Sequence, residues 1–525
     1  MLIILSVSLF LFLLLIKHYL NNDIMKHKIN KVILPASLLS AIVSGSFSQT
    51  QQPNIVIIHT DEHNFRTLGC YRECLQNEQA FPWGKEAVVE TPHIDRLAHQ
   101  GVLFTRCYAT SPVSSPSRAS FMSGLYPQNN GVWTNDMVLS DAAITFGESL
   151  RQNGYATGYI GKLHINGKGR PEWHPGRDFG FSDNRYMYNR GHWKKIEETA
   201  EGPTFRTDAD VKSTDEQTFP TDYFTTQAIE FINRHKEGPF CCMLCFPDPH
   251  SANLVRAPYD TMYSRIRFKE PVTALADTTG RPAWSHGNNL KADQPEDMAQ
   301  YFGMIKCIDD NVGRILDALK GAGILDNTII IFTSDHGDMC RQHGLINKGV
   351  PLDDSARVPF IISYPAGMRQ GIRVENVMSV TDFTPSLLSF CNIQPTAQYD
   401  GRDLSLLWKG EKLPEKYKDI VFMRAVTPKI KSDWDESATA MRTKWISAVT
   451  PEYKLTYSEY VSDVPWLTDL KKDPDELINC YQDPAYKEIV SRLAADLKEY
   501  GEQYNDPRIK HPKIQQEILS AILKK

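Results

Sequence analysis

The sequence has no apolar run of the roughly 20 residues that a helix needs to cross a bilayer. Its longest apolar stretch covers residues 2–16, and this length argues against a membrane-spanning segment. No internal repeat is visible, and no low-complexity tract lies beyond the first 48 residues. A repeat architecture is therefore excluded.

Positive charge is not in excess either. The 58 lysines and arginines are outnumbered by 63 aspartates and glutamates, so the net charge is −5. This sign argues against nucleic acid as a partner. The length of 525 residues and the hydrophobic share of 41% are typical of a folded protein with a large core. Because the net charge is negative, an anionic substrate would need a local cluster of Lys, Arg and His side chains, or a metal ion, to attract it.

The ten cysteines lack the spacing of a disulfide framework. Cys241, Cys242 and Cys245 lie within an apolar run, which indicates small buried core residues. The short spacing between Cys70 and Cys74 leaves a local bridge open.

The amino terminus is typical of a targeting segment. Three lysines closely follow Met25, and an apolar stretch at 32–43 precedes a small-x-small cleavage site at 46–48. We predict a secretory signal peptide within residues 1–48, with Met25 as an alternative start. An uncleaved membrane anchor is the alternative, and both place the rest of the chain in the periplasm or outside the cell.

Short apolar runs rich in β-branched residues alternate with amphipathic stretches, as in a mostly parallel sheet covered by helices. The predicted strands are 54–60, 156–160, 240–246, 328–333 and 359–364, and the predicted helices include 93–100, 142–153, 224–234 and 309–321. We therefore predict an α/β fold with a large, mixed, mostly parallel sheet sandwiched by helices over residues 50–395.

The pattern changes after about residue 395. Shorter segments follow, including predicted strands at 445–450 and 453–457, and a charged helical tail begins near residue 485. We predict a smaller C-terminal α+β domain, residues 396–525, with a short antiparallel sheet.

Ligands of open α/β sheets bind beyond the carboxyl ends of the strands. Four of the predicted strands end in residues suited to chemistry, namely Asp61 with Glu62, Lys162 with His164, His250, and Asp335 with His336. The sequence therefore predicts that acids, imidazoles and a lysine meet at one edge of the sheet.

The most specific segment begins with Ser114 and continues through Pro116, Ser117 and Arg118 to Gly124. It resembles the sulfatase signature, in which Cys or Ser is followed by any residue, Pro, Ser and Arg. Further segments similar to the same family are 54–62, 91–104, 154–164, 249–250, 333–348 and 473–476. The chain thus resembles the formylglycine-dependent (type I) sulfatases of the alkaline-phosphatase superfamily over nearly all of its length after residue 53. This resemblance implies an alkaline-phosphatase-like fold.

In that family the first signature residue is oxidised, so the resemblance makes Ser114 the precursor of Cα-formylglycine. A serine at this position is similar to bacterial sulfatases that depend on a serine-type radical-SAM maturase. Sulfate esters hydrolyse slowly because anionic oxygens shield the sulfur and the alkoxide leaves poorly. A catalyst therefore needs a strong nucleophile, a cation and a proton donor.

The resemblance implies that Ca2+ is the cation. Its implied ligands are Asp61, Glu62, Asp335, His336 and the modified Ser114, a mainly oxygen set suited to a hard cation. Glu62 stands where Asp is usual, and His336 stands where Asn is common. These two departures keep Mg2+ or a transition metal as alternatives.

The resemblance also implies roles for five basic residues. Arg118 orients and activates the nucleophile, and His164 positions it. Lys162, Lys348 and His250 bind sulfate oxygens, and either His250 or Lys348 protonates the leaving oxygen.

Aromatic and basic residues concentrate between residues 173 and 193. Rings beside basic groups suit the faces and sulfates of a sugar. The candidate substrate-binding residues are Trp173, His174, Arg185, His192 and Trp193. A loop whose aromatic rings pack over the core is an equal alternative.

Together these observations predict an exported sulfuric ester hydrolase that acts on a sulfated carbohydrate, such as a glycosaminoglycan. A phosphodiesterase or phosphonate monoester hydrolase of the same superfamily is the first alternative, because phosphoryl transfer uses similar groups. A small-molecule arylsulfatase or choline-sulfatase also fits. The alternative without catalysis is an inactive exported glycan-binding protein whose Ser114 stays unmodified.

Overall fold

The computed structural model describes residues 52–206, 211–285, 298–426 and 443–523. The predicted signal peptide, residues 1–48, lies outside these ranges. The strands are β1 (Asn54–Asp61), β2 (Val102–Tyr108), β3 (Ala156–Lys162), β4 (Met187–Tyr188), β5 (Ile196–Thr199), β6 (Gly202–Phe205), β7 (Phe240–Pro249), β8 (Thr328–Ser334), β9 (Arg357–Ser363), β10 (Ile372–Ser379), β11 (Val421–Arg424), β12 (Trp445–Val449), β13 (Tyr453–Ser458) and β14 (Trp466–Asp469).

The helices of seven or more residues are α1 (Pro92–His99), α2 (Ser114–Ser123), α3 (Phe146–Gln152), α4 (Pro220–His235), α5 (Met298–Gly321), α6 (Phe383–Phe390), α7 (Lys487–Gln503) and α8 (Pro512–Leu523). Single helical turns occur at Gly69–Arg72, Asn77–Ala80, Pro127–Asn130, Tyr259–Met262, Val272–Leu275, Asp353–Ala356 and Ser405–Trp408. Within the described ranges, none of the helices is both long and apolar enough to cross a bilayer.

The main sheet has eight strands in the order β10-β2-β9-β8-β1-β7-β3-β4. Strand β9 runs antiparallel to both of its neighbours, and the other neighbouring strands pair in parallel. The predicted large, mixed, mostly parallel sheet is confirmed. All five predicted strands belong to this sheet, as β1, β3, β7, β8 and β9.

The main sheet is covered on both faces. Ile55 and Ile57 of β1 pack into the cluster that contains Phe146 of α3. Val56 and Ile58 point to the opposite face, into the cluster formed with α1, α4 and α5. Neither face of such a strand contacts solvent, so neither requires polar side chains. This is why β1 appears in the sequence as an unbroken apolar run.

A second sheet follows in the carboxy-terminal part, in the order β11-β12-β13-β14. All its pairs are antiparallel, which confirms the predicted short antiparallel sheet. Its apolar face, with Ile446 and Leu455, packs against Leu493 of α7 and Ile514 of α8.

All ten cysteines are free thiols. Cys241, Cys242 and Cys245 are buried in β7. The Sγ of Cys74 contacts the carbonyl oxygen of Cys70 at 3.3 Å, so this pair is not bridged.

Candidate active site

Four adjacent strands bring the predicted chemical groups together. Strands β8, β1, β7 and β3 are consecutive neighbours in the main sheet and run parallel to one another. Their carboxyl ends therefore lie along one edge. At this edge lie the last residue of β1, Asp61, with Glu62 after it, and the last residue of β3, Lys162, with His164 beyond it. His250 follows β7, and Asp335 and His336 follow β8.

The backbone turns sharply directly after β1. Glu62 has a φ of 64°, in the left-handed region that residues other than glycine seldom occupy. Its N–H donates to Asp335 Oδ1 at 3.1 Å, and its carbonyl accepts from the Tyr301 hydroxyl at 2.8 Å. These two bonds hold the Glu62 carboxyl beside that of Asp61.

Ser114 begins helix α2 and is fully enclosed, with 1% of its surface exposed. Its Oγ lies 3.0 Å from His336 Nε2. The Nδ1 of His336 faces the Gly337 carbonyl at 2.9 Å. Because a carbonyl only accepts, Nδ1 carries the proton and Nε2 presents a lone pair toward Ser114. Burial lowers the pKa of His336 to about 4, which keeps this lone pair available at neutral pH.

Arg118, one turn further along α2, joins three strand ends. Its Nε donates to Asp335 Oδ2 at 2.8 Å, one terminal nitrogen to Asp61 Oδ2 at 3.2 Å, and the other to the Lys162 carbonyl at 2.9 Å. Burial and the neighbouring Asp61 carboxylate raise the pKa of Asp335, but protonated His336, which is present only in acid, and Arg118 outweigh them and lower it to about 2. Both buried carboxylates are therefore ionised.

Two buried ammonium groups flank these carboxylates. Lys162 Nζ contacts Asp61 Oδ2 and lies 2.7 Å from His192 Nε2. The Lys162 side chain is fully buried. Burial opposes ionisation of Asp61, yet Lys162 and Arg118 hold its pKa well below the usual range.

The second ammonium group belongs to Lys348. It donates to Glu62 Oε2 at 2.8 Å and lies 2.7 Å from His250 Nε2. Burial raises the pKa of Glu62 to about 8 against the opposing charge of Lys348. The ionised form of this carboxyl therefore needs a further positive partner.

The donors fit a hard cation. Asp61, Asp335 and His336 present ligand atoms within 4.8 Å of one another. Among the described residues, no hydrogen-bond donor satisfies the buried oxygens Asp61 Oδ1 and Glu62 Oε1. Such oxygens are costly to bury unless a partner is bound, and a mainly carboxylate set suits Ca2+.

A second group of potential ligands has a different use. Asp61, His192 and His250 also lie within metal-binding distance of one another. However, Lys162 and Lys348 each hold one of these imidazoles by its Nε2. Two ammonium ions at this position favour binding of an anion rather than a second cation.

His164 lies at the rim of this group. It is 7% exposed and also has a left-handed φ of 63°. Its Nε2 lies 3.8 Å from Asp136 Oδ1, which also contacts Arg190. Its role as a positioning group stays a prediction.

The five candidate substrate residues separate into two groups. Trp173 and Trp193 pack on Phe205, with ring centroids 5.0 and 4.8 Å apart. His174 is exposed, and Arg185 is exposed beside Glu198 at 3.5 Å. Among the five, His192 contacts the clustered side chains described above, namely Lys162 and His250. The substrate-binding roles of all five stay predictions.

The sequence did not predict several residues that hold the backbone of the site in place. Ser117 donates to the Asp335 carbonyl, and Asn135 accepts from the N–H of Ser115 at 3.0 Å. Ser117 lies within the signature, so that segment was the available signal. No pattern marks Asn135 or Tyr301, because their contacts depend on the path of distant chain segments.

Comparison with known proteins shows which family this chain matches. A family model described as Sulfatase matches residues 53–393, and one described as N-sulphoglucosamine sulphohydrolase, C-terminal, matches residues 341–503. An N-acetylglucosamine-6-O-sulfatase of Bacteroides thetaiotaomicron is 25% identical over 93% of this chain and 94% of its own length.

Solved structures share the fold. One, a protein in complex with its substrate D-glucosamine-2-N,6-O-disulfate, has a TM-score of 0.70 at 24% identity, covering 87% of this chain and 99% of the other. A phosphonate monoester hydrolase of Agrobacterium radiobacter has a TM-score of 0.66 at 24% identity, covering 87% and 97%. At these identities the likeness concerns the fold alone.

Proposed function

Because the chain belongs to the sulfatase family and is a sulfuric ester hydrolase, we propose that its substrate is a sulfated carbohydrate and that Ser114, oxidised to Cα-formylglycine, is its nucleophile. The observation that carries the proposal is the position of Ser114. Its Oγ lies 3.0 Å from His336, beside the buried carboxylates that Arg118 joins. This is a nucleophile at the edge of a cation site.

The modification, when present, supplies a geminal diol, which attacks more readily than serine and provides its own route for releasing sulfate. A serine-type maturase would install it. Arg118 holds the two carboxylates in place and adds a fixed positive charge near residue 114. The start of helix α2 points backbone N–H groups in the same direction.

The proposed cation is Ca2+, held by Asp61, Glu62, Asp335 and His336 together with residue 114. It would neutralise the sulfate oxygens and favour the ionised nucleophile. The two buried oxygens without hydrogen-bond partners, on Asp61 and Glu62, support this assignment. The longer carboxylate of Glu62 and the imidazole of His336 keep Mg2+ or a transition metal as alternatives.

Lys162, Lys348 and His250 bind the anionic head of the ester in this proposal. Their nitrogens lie beside the carboxylates, and Lys162 is fully buried. A buried ammonium binds an anion strongly because water does not compete with it. Either His250 or Lys348 protonates the leaving oxygen. Lys348 donates to His250 Nε2 at 2.7 Å, so His250 would act as the acid only after it has taken this proton from Lys348.

The carbohydrate class is supported by the named activity of the N-acetylglucosamine-6-O-sulfatase. The phosphonate monoester hydrolase of similar fold keeps phosphoester or phosphonate hydrolysis as the second candidate. The two lysines held by His192 and His250 argue against a two-metal phosphoesterase centre, because they lie where a second metal ion would otherwise be bound.

We also propose the wider organisation of the chain. Residues 1–48 direct export to the periplasm or beyond, residues 50–395 carry catalysis, and residues 396–525 form a C-terminal subdomain. The separate antiparallel sheet that begins at Val421 supports a distinct C-terminal subdomain, although the turn Ser405–Trp408 still packs on the main sheet.

The test uses protein co-expressed with a serine-type maturase. Its substrates are a panel of sulfated monosaccharides and disaccharides and, assayed separately, phosphodiesters and a phosphonate monoester. We expect sulfate release from at least one sugar, and a Ser114 peptide lighter by about 2 Da, the mass of two hydrogens. Ser114→Ala should abolish turnover. Ser115→Ala is the matched control, because the neighbouring Ser115 Oγ is buried without a hydrogen-bond partner among the described residues, and it should retain activity. Faster release from the phosphorus esters, or full activity of Ser114→Ala, would contradict the proposal.

A further inference from the structure

The imidazoles of His192 and His250 lie face to face. Their ring centroids are 3.8 Å apart and their planes differ by 6°. The side chains are 21% and 16% exposed, so the stack lies at the opening of the site. Because the rings are in direct contact, each fixes the plane of the other.

Each ring of this stack also accepts a hydrogen bond from a lysine. Lys162 Nζ lies 2.7 Å from His192 Nε2, and Lys348 Nζ lies 2.7 Å from His250 Nε2. Because an ammonium group only donates, both Nε2 atoms are acceptors. His192 with Lys162 thus repeats, on the Asp61 side, the arrangement of His250 with Lys348 on the Glu62 side.

A buried ion pair fastens the two segments that carry the stack. Lys194 follows His192 by two residues, and Asp248 precedes His250 by two. Lys194 Nζ lies 2.5 Å from Asp248 Oδ1, and Thr221 donates to Oδ2 of the same carboxylate at 2.7 Å. The side chains of Lys194 and Asp248 are 6% and 0% exposed. Since a buried ion pair adds little net stability, its effect here is to fix geometry.

We propose that His192 is a positioning residue of the sulfatase reaction. Its Nε2 aims the Lys162 ammonium at the ester, and its ring holds the plane of His250. The Lys194–Asp248 pair fixes the approach of the two segments. This role rests on the proposed function and deepens it, because it adds a residue and an ion pair that the reaction chemistry alone does not assign.

The two contacts of His192 predict separable effects. Loss of the Nε2 acceptor releases Lys162 and weakens the binding of sulfate itself. Loss of the stacked ring leaves Lys162 held but frees His250, which disturbs proton delivery to the leaving oxygen. The first effect raises KM and the inhibition constant of inorganic sulfate, and the second lowers kcat.

Two substitutions separate these effects. His192→Phe keeps a stacking ring without an acceptor, and His192→Gln keeps an acceptor without a ring. The measurements are kcat and KM of the matured enzyme on the sulfated monosaccharide that the wild type hydrolyses, and the Ki of inorganic sulfate. We expect His192→Phe to raise KM and Ki by about 10-fold or more. We expect His192→Gln to lower kcat by about 10–100-fold, the range seen for groups that orient an active residue, with Ki nearly unchanged.

Controls separate this role from general damage. His99 is a surface histidine, 55% exposed beside Glu73, and His99→Phe and His99→Gln should leave all three constants unchanged. The double variant Lys194→Met/Asp248→Asn leaves no unpaired buried charge, and it should reproduce the loss of kcat of His192→Gln. Its thermal unfolding, compared with the wild type, verifies that the fold persists.

Wild-type constants in both His192 variants would overturn the proposal, as would identical losses in both. Wild-type kcat in the folded double variant would overturn the role of the ion pair. These outcomes differ from failure of the proposed function, in which matured wild-type protein carries the oxidised Ser114 peptide yet releases no sulfate from any sugar.

Discussion

The Nε2 of His336 lies 3.0 Å from the Oγ of Ser114, while the other ring nitrogen of His336 is held by a backbone carbonyl. The carbonyl fixes both the tautomer and the direction of the lone pair. His336 therefore connects the end of β8 to the start of α2. It is also one of the two positions at which this chain departs from the sulfatases that it resembles, in which asparagine is common here.

His336→Ala should weaken both calcium binding and turnover. We expect a loss of at least about 10–100-fold in each, the range seen even for groups that only support a metal ligand. His336→Asn should lose less of the calcium affinity and of the turnover, because the amide oxygen of asparagine offers a lone pair in place of that of Nε2. Calorimetric titration with Ca2+ and steady-state kinetics measure the two effects. Unchanged calcium affinity in His336→Ala would remove this residue from the ligand set.

Tyr301 of helix α5 supports the backbone around the proposed cation site. Its hydroxyl donates to the Glu62 carbonyl at 2.8 Å and accepts from the Asn64 N–H at 2.9 Å. Tyr301→Phe leaves both buried groups without this partner, so we expect a destabilisation of about 1–3 kcal/mol and weaker calcium binding. Tyr399→Phe is the control, since the Tyr399 hydroxyl has no hydrogen-bond partner in the described ranges. Equal unfolding free energies for the two variants would contradict the role of Tyr301.

Gly161 lets β3 approach β7 directly before Lys162. Its φ is 103°, and a Cβ here would lie 1.9 Å from the carbonyl oxygen of Cys245. Gly161→Ala should therefore destabilise the protein and lower kcat/KM by displacing Lys162. Gly154→Ala is the matched control, because its φ is also positive at 86° but its Cβ would meet nothing within 4 Å. Gly154→Ala should lose only the roughly 1–2 kcal/mol of left-handed strain, with activity retained. Chemical denaturation and kinetics distinguish them.

The sequence was most informative where a strand is buried on both faces. Strands β1, β3, β7, β8 and β9 appear as apolar runs, and the site residues directly follow four of these strands. Strand β10 did not stand out, because it is an edge strand whose burial is interrupted by exposed residues such as Arg373 and Glu375. The pair β5 and β6 was not predicted either, since its four-residue strands lie apart from the main sheet.

The sequence predicted the site residues at the strand ends but not the contacts made by residues on loops. Asp335 and His336 are fixed by the strand that precedes them, so their position could be deduced. The contact of His192 with Lys162 and His250 depends on how the chain after β4 folds back, and no spacing in the sequence encodes that path. Helix α5 was predicted to begin at residue 309, whereas it begins at Met298. The missed half carries Tyr301.

A buried lysine joins the C-terminal sheet to the main domain. Lys454 of β13 contacts Asp353 at 2.6 Å, Glu476 at 2.7 Å and the Pro351 carbonyl at 2.9 Å. Lys454→Met leaves the buried Glu476 without this cation and leaves Asp353 with Arg357 at 3.4 Å. We therefore expect a loss of about 3–5 kcal/mol in the free energy of unfolding. Activity should also fall, because Pro351 follows closely after Lys348. Lys418→Met removes a lysine that is 57% exposed and should change neither. A stability equal to that of the wild type would contradict the role of Lys454.

The last prediction concerns acid sensitivity. His343 is nearly fully buried, and burial, with added repulsion from Arg281 and Arg66, lowers its pKa to about 3. In the unfolded chain a histidine has a pKa near 6.5. Between about pH 6.5 and 3 the unfolded state therefore binds more protons than the folded state. This histidine makes the protein less stable as the pH falls through that window, by at most about 1.4 kcal/mol per pH unit.

His343→Asn should remove this component. Asparagine tolerates the left-handed backbone at this position, where φ is 56°, and the His343 N–H that donates to Thr273 at 2.9 Å is retained. Urea unfolding at a series of pH values from 7.5 to 5 measures the effect. Above about pH 7 the free energies of wild type and variant should differ by a constant, which is the internal control. Below about pH 6.5 the wild type should lose stability more steeply than the variant, and parallel curves over the whole range would show that His343 is protonated equally in both states.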